Sequence, residues 1–171
     1  MDPLIKIGQP APDFTLPDLD GNPHAPAQLR GRITIINFWS AECPWSARAD
    51  QSLLAASAAW GEQVVLLPIA SNANEALDLI RRTAAERDQP VVLLDREQHV
   101  ARMYGAQTTP HIFVLDPAGI LRYQGAFDDK TFRKRQPKVS YTLNAVNALL
   151  KGNNPDPAET PPYGCTVVYN I

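Results

Sequence analysis

Cysteine is scarce in this chain: two residues, Cys43 and Cys165, among 171. So few cannot staple a fold together, which excludes a disulfide scaffold and leaves chemistry, or plain packing, as their work. Charge is also thin, at 20% of residues with a formal net charge of -2. That gives no electrostatic ground for nucleic acid or an anionic membrane as a general partner. No apolar run approaches the roughly 18 residues of a membrane span. Met1–Pro10 holds too few apolar residues for the core of an export signal, so a soluble, cytoplasmic protein is expected. Three histidines and two cysteines without close spacing offer no metal site, and no cofactor is expected. What the chain has in quantity is apolar material, 44% of residues, enough for one sizeable core. The expected organisation is one domain over residues 1–151 and a proline-rich tail over 152–171.

The order of elements follows from local pattern. GQPAPDFTLPDLDGNP, Gly8 to Pro23, is dense in proline and aspartate turns and reads as extended chain with a hairpin. ITIINFW, Ile33 to Trp39, is a short β-branched run of the kind buried on both faces of a sheet. Pro44 suits the first turn of a helix that runs to Gly61. Val64–Ala70 predicts a second buried strand, and a helix follows with Asn72 or Asn74 as its N-cap. Val91–Asp95 predicts a third strand, followed by a short helix in EQHVARMYG. HIFVLDPAGILRYQG predicts a terminal hairpin around Asp116–Gly119. SYTLNAVNALLKG predicts a helix with Tyr141, Leu143, Val146, Leu149 and Leu150 on its apolar face. NNPDPAETPPYG should lack regular structure, and CTVVY, Cys165 to Tyr169, could add an edge strand. Strands alternating with helices before a hairpin predict α/β with a mixed sheet flanked by helices.

Cys43 lies where the first buried strand passes into a helix, the carboxyl end of the sheet, where sites in open α/β folds gather. The positive end of the helix dipole there favours thiolate and predicts a partly exposed thiol with a lowered pKa. Glu42 beside it pushes the other way, and an inert buried cysteine is the opposing reading.

NFWSAECPWS resembles the strand-to-helix active site of thioredoxin-like proteins. GQPAPDFTLPDLDGN resembles the entry hairpin of the alkyl hydroperoxide reductase/thiol-specific antioxidant (AhpC/TSA, redoxin) superfamily. YGAQTTPHIFVLDPAGILRYQG looks like the region where such proteins carry a cis-proline and a last hairpin. The tail, from Phe127-Asp128-Asp129 to ETPPYGCTVVY, is similar to a peroxiredoxin-like subgroup whose chains end in a Gly-Cys strand. The resemblance implies a thioredoxin-like fold and a cis Thr109-Pro110 bond packed against Cys43. It also implies thiol-disulfide exchange at Cys43 with protein or small-molecule thiols and disulfides, an outside thiol reductant, and a part in antioxidant defence and cell redox homeostasis.

Departures from the pattern define the alternatives. Ser46 stands where thioredoxins have their second cysteine, and Asn37 where they have a buried aspartate base. Ser40 can imitate the threonine of a peroxidatic motif, but Ile36 and Thr109-Pro110 replace its proline and arginine. A peroxide reductase is therefore the second reading. A non-catalytic binding module beside Pro110 is the third. Cys165 is either a resolving cysteine on a flexible arm or a half-buried strand residue. Trp39, Ser40, Glu42, Trp45, Thr109 and His111 complete the candidate groove, with Trp39 and Trp45 as an apolar platform or as ordinary packing. His111 is an acid-base candidate or a hydrogen-bonded strand residue. The run Lys130–Lys138, with five basic residues around Phe132, is a solvated loop or a dock for an acidic partner.

Overall fold

The computed structural model describes residues 5–171, so the first four residues of the Met1–Pro10 stretch lie outside the described residues. A short antiparallel hairpin opens the chain, β1 (Leu16–Pro17) against β2 (Pro23–His24). Its turn is closed by the Asp18 carboxylate, which accepts from the N–H groups of Asp20 and Asn22. β3 (Ile33–Trp39) follows, with all seven residues buried, and leads through Ser40–Cys43 into α1 (Pro44–Trp60). Then come β4 (Val64–Ala70), α2 (Leu77–Glu86), β5 (Leu93–Leu94), α3 (His99–Tyr104) and β6 (Thr108–Thr109). β7 (His111–Leu115), β8 (Leu121–Gly125), α4 (Tyr141–Leu150) and β9 (Cys165–Thr166) end the order.

The central sheet has strand order β5-β4-β3-β7-β8, with β3 parallel to β4 and antiparallel to β7. It is therefore mixed, as the alternation of elements predicts. Apolar side chains from both faces fill the core: Phe38, Ile69, Tyr104 and Phe113 on one side, Ile35, Leu53, Val114 and Tyr123 on the other. Alternation along β3 sends Ile36 and Phe38 to the first cluster and Ile33 and Ile35 to the second.

Three elements differ from expectation. Val91–Asp95 is not a five-residue strand; only Leu93 and Leu94 pair, with Ile69 and Ala70. That ladder starts directly after Pro68, which has no N–H to give. α2 starts behind Ala76 without a side-chain cap, and neither Asn72 nor Asn74 fills that place. Asn72 is committed elsewhere, since its Oδ1 accepts from the Val168 N–H at 2.9 Å. α4 packs Tyr141, Leu143, Val146 and Leu149 of its expected face against the core, but it also buries Thr142 and Ala145 and leaves Leu150 exposed. Thr142 can be buried because its hydroxyl donates to the Phe127 carbonyl at 3.1 Å, a partner the apolar pattern cannot reveal.

The proline-rich segment after α4 has no helix or long strand, yet it is bound to the sheet. The N–H of Gln124 donates to the Ala158 carbonyl, and the Thr160 N–H returns to the Gln124 carbonyl. Beyond it, β9 pairs antiparallel with β6, setting Cys165 opposite Thr109. The last residues are fixed by Val167 N–H to the Gln107 carbonyl, Gln98 Nε2 to the Val168 carbonyl and the Tyr169 hydroxyl to the Ala106 carbonyl. The tail is thus an anchored strap over one end of the sheet, not a flexible arm.

Candidate functional site

β3 delivers its last residues to the carboxyl end of the sheet, and Cys43 becomes the N-cap of α1 with extended backbone. Pro44 opens the helix, where its missing N–H leaves nothing unpaired. Thr109-Pro110 is a cis peptide. Its carbonyl partner across space is the thiol itself: Cys43 Sγ donates to the Thr109 oxygen at 3.1 Å. The expected packing of this proline turn on Cys43 is therefore present.

Exposure is where expectation fails. Cys43 is 2% exposed, not partly exposed, because β9 lies over it through the Thr109–Cys165 pairing. Burial by itself raises the thiol pKa, yet the net direction is down. The opposing causes are hydrogen bonding from the Cys165 thiol, from Thr109, and from the N–H groups of Ser46 and Cys165. The Thr109 hydroxyl is buried without another partner, so it is free to donate to a thiolate. Cys165 moves the other way. Burial, then the Cys43 sulfur, then the Glu75 charge push it up to about 12. The two cysteines are unbonded, and their environments favour placing the first negative charge on Cys43.

The neighbouring residues sort into several roles. Ser46 is fully buried and its hydroxyl accepts from the Ser40 N–H at 3.1 Å, which locks the strand-to-helix joint. The Ser40 hydroxyl donates to Glu75, and the Glu42 N–H bonds both of these groups. The carboxylate acting on this site is therefore Glu75, not the exposed Glu42 named from adjacency in sequence. Glu75 is 1% exposed and its Oε2 has no partner. No local pattern marks it, since it reaches the site from the lead-in to α2.

Trp39 is not a platform. It is wholly buried, and its Nε1 donates to Asp50 at 2.6 Å. Burial lifts the Asp50 carboxyl to about 6 despite that bond and despite Arg87 at 3.4 Å. Trp45 does line a surface, packing edge-on against Phe132 at 5.4 Å and Tyr163 at 5.0 Å. His111 is a strand residue whose Nδ1 accepts from the Gln107 N–H, and burial drops its pKa to about 4. It is neutral at pH 7, and the acid-base reading has no support in its contacts. Asn37 is buried with its Oδ1 unpartnered, in the place where an aspartate base was absent from the sequence.

Such a site can form and release a disulfide. One thiol is biased toward thiolate, a second lies across a two-residue ladder from the peptide that holds the first, and a buried carboxylate stands beside them.

The chain is similar to known proteins in sequence and in fold. The chain is 28% identical over 143 residues to the thiol:disulfide interchange protein DsbE of Allochromatium vinosum, covering 81% of this chain and 78% of that one. The thiol-disulfide oxidoreductase ResA of Geobacillus thermodenitrificans is 28% identical over 67% of this chain, which spans 66% of that relative. Among solved structures, a hypothetical protein of Sinorhizobium meliloti superposes with a TM-score of 0.85 at 28% identity, covering 98% of this chain and 96% of that one. An uncharacterised conserved protein of Geobacillus kaustophilus gives 0.88 at 25% identity over 97% and 93%. The model of the AhpC/TSA family matches residues 7–124, more than half of the sequence, and the chain belongs to that family.

Proposed function

We propose that the protein is a thiol-disulfide oxidoreductase in which Cys43 is the nucleophile and Cys165 the resolving cysteine. The observation that carries this reading is the β6–β9 pairing, which seats Cys165 opposite the residue whose carbonyl holds the Cys43 thiol. The thiolate of Cys43 attacks one sulfur of a substrate disulfide, forming a mixed disulfide and releasing the first substrate thiolate. Cys165 then loses its proton to solvent and attacks the Cys43 sulfur, releasing the second substrate thiol. The substrate gains two electrons and the protein ends as a Cys43–Cys165 disulfide, which an outside dithiol reduces. Once Cys43 is in the mixed disulfide its charge is gone, so one of the causes that raise the Cys165 pKa disappears at the step where a thiolate is needed.

The relatives named above support the class of reaction, with protein or small-molecule disulfides and thiols as partners. Peroxide reduction is the weaker reading, because the groups that hydrogen-bond to Cys43 include no guanidinium to take charge from a leaving oxygen. A purely binding role leaves the paired thiols unused. The cytoplasmic setting and the part in redox homeostasis expected from the sequence belong to this proposal, and fractionation of source cells addresses the first.

Single turnover without added reductant tests it. Reduced wild type should release both thiols of a peptide disulfide. Cys165→Ser should release one and stop as a mixed disulfide on Cys43, seen by intact mass. Cys43→Ser should release none. Full release by Cys165→Ser, or any retained activity of Cys43→Ser, would overturn the assignment.

A further inference from the structure

Beside the redox pair lies a cleft of about 450 Å³, within the roughly 300–1,000 Å³ range of ligand pockets. Pro44, Trp45 and Arg48 of α1 form one wall, and Lys130, Phe132 and Arg135 of the basic loop form the other. The loop is built, not slack. Asp129 accepts from the N–H groups of Lys138 and Val139 and pairs with Lys134, while the Thr131 hydroxyl accepts from Arg133 and Lys134. It nevertheless presents Phe132 at 78% exposure, an apolar ring held out over the cleft by a hydrogen-bonded frame.

The cations divide into two kinds. Arg48 is taken up by Asp128 through two 2.7 Å contacts and lies over the Trp45 ring at 5.6 Å, so it fixes the aromatic wall. Lys130 and Arg135 have no carboxylate within salt-bridge distance among the described residues. Two unneutralised cations thus stand on an apolar, aromatic cleft in a chain whose net charge is -2. Both ends of the chemistry adjoin it. Trp45 is two residues past Cys43, and Tyr163, two residues before Cys165, packs on Trp45 and accepts from the Phe132 N–H at 2.9 Å.

We infer that this cleft docks the acidic, aromatic- or aliphatic-bearing stretch of a cysteine-containing polypeptide, which is the substrate class of the Cys43 reaction. Carboxylates meet Lys130 and Arg135, and an apolar side chain covers Phe132 and Trp45. Unlike a bare basic patch, the cleft pairs charge with an uncovered aromatic floor, and the rest of the chain lacks the positive excess that a nucleic-acid surface needs. The inference rests on Cys43 being the nucleophile.

The test uses three peptides of equal length, acidic, neutral and basic, each with its one cysteine linked to 2-thiopyridine. The Cys43 thiolate attacks the peptide sulfur and pyridine-2-thione leaves, giving a rate by absorbance. For wild type at low salt, the acidic peptide should react about tenfold faster than the basic one, and the ratio should shrink toward one near 1 M salt. Lys130→Glu with Arg135→Glu should invert the order. Arg81→Glu with Arg82→Glu, the same charge change on the exposed face of α2, should keep it. Equal rates for the three peptides, loss of preference in the α2 variant, or competition by an oligonucleotide but not by a cysteine-free acidic peptide would overturn the docking inference alone. A wild type inert to all three and to neutral dithiodipyridine would instead overturn the Cys43 reading on which it stands.

Discussion

At Cys43, burial and hydrogen bonding oppose each other, and the donors win. The thiol is covered, which disfavours charge, but Cys165, Thr109 and the Ser46 N–H all favour the thiolate. Cys165 heads those favourable causes, so Cys165→Ala should raise the Cys43 pKa. The sign follows directly: with one donor fewer, the thiolate forms at higher pH. Thiolate absorbance in the ultraviolet across a pH series should show the Cys43 step displaced upward relative to wild type, and an unmoved or lowered midpoint would contradict the assignment. Much of this site was legible from residues 37–46 and 108–111, because strand end, helix start and proline turn are local patterns. Glu75 was not, since its position beside Ser40 and the thiols depends on how the lead-in to α2 crosses the sheet end. Trp39 misled for the opposite reason. Adjacency to a reactive joint does not tell whether an indole faces solvent or, as here, Asp50.

Most elements follow from local pattern, including the six-residue α3 within EQHVARMYG, while the N-cap of α2 and the length of β5 do not. β3 and β4 follow from unbroken apolar runs, and α1 from Pro44 and Gly61. Asn72 does not cap α2 because it serves the tail, and β5 is shorter than Val91–Asp95 because pairing depends on the partner strand as well as on its own propensity. β9 is the element with most at stake. Gly164 precedes it at a close approach: a Cβ there would lie 2.1 Å from the Thr109 oxygen and 2.7 Å from its carbonyl carbon, backbone atoms that cannot swing aside. Gly164→Ala should therefore push β9 off β6 at a cost of about 1–3 kcal/mol. Cys43 should then alkylate roughly tenfold faster or more, since about 1.4 kcal/mol of lost cover is a factor of ten. Alkylation at the wild-type rate would show that the strap does not govern access.

For the whole molecule, the sheet supplies a rigid end and the tail closes it. The segment 158–160 is tied to β8 and residues 165–170 to α3 and to the chain on either side of it, so the strap is held on both sides of Cys165. The sequence announced the tail by its prolines and by a lone Gly-Cys, but its path was not legible, because contacts such as Val168 to Asn72, 96 positions apart, leave no local signature. Joining Cys43 to Cys165 closes that long loop, which in the chain-entropy model stabilises the oxidised fold by about 4–5 kcal/mol. Peptide mapping by mass spectrometry after treatment with one equivalent of a thiol oxidant tests the account most directly. The expected product is monomer two hydrogens lighter, with a single peptide pair linking Cys43 to Cys165. Disulfide-linked dimers, or oxygenated Cys43 beside a free Cys165, would contradict it.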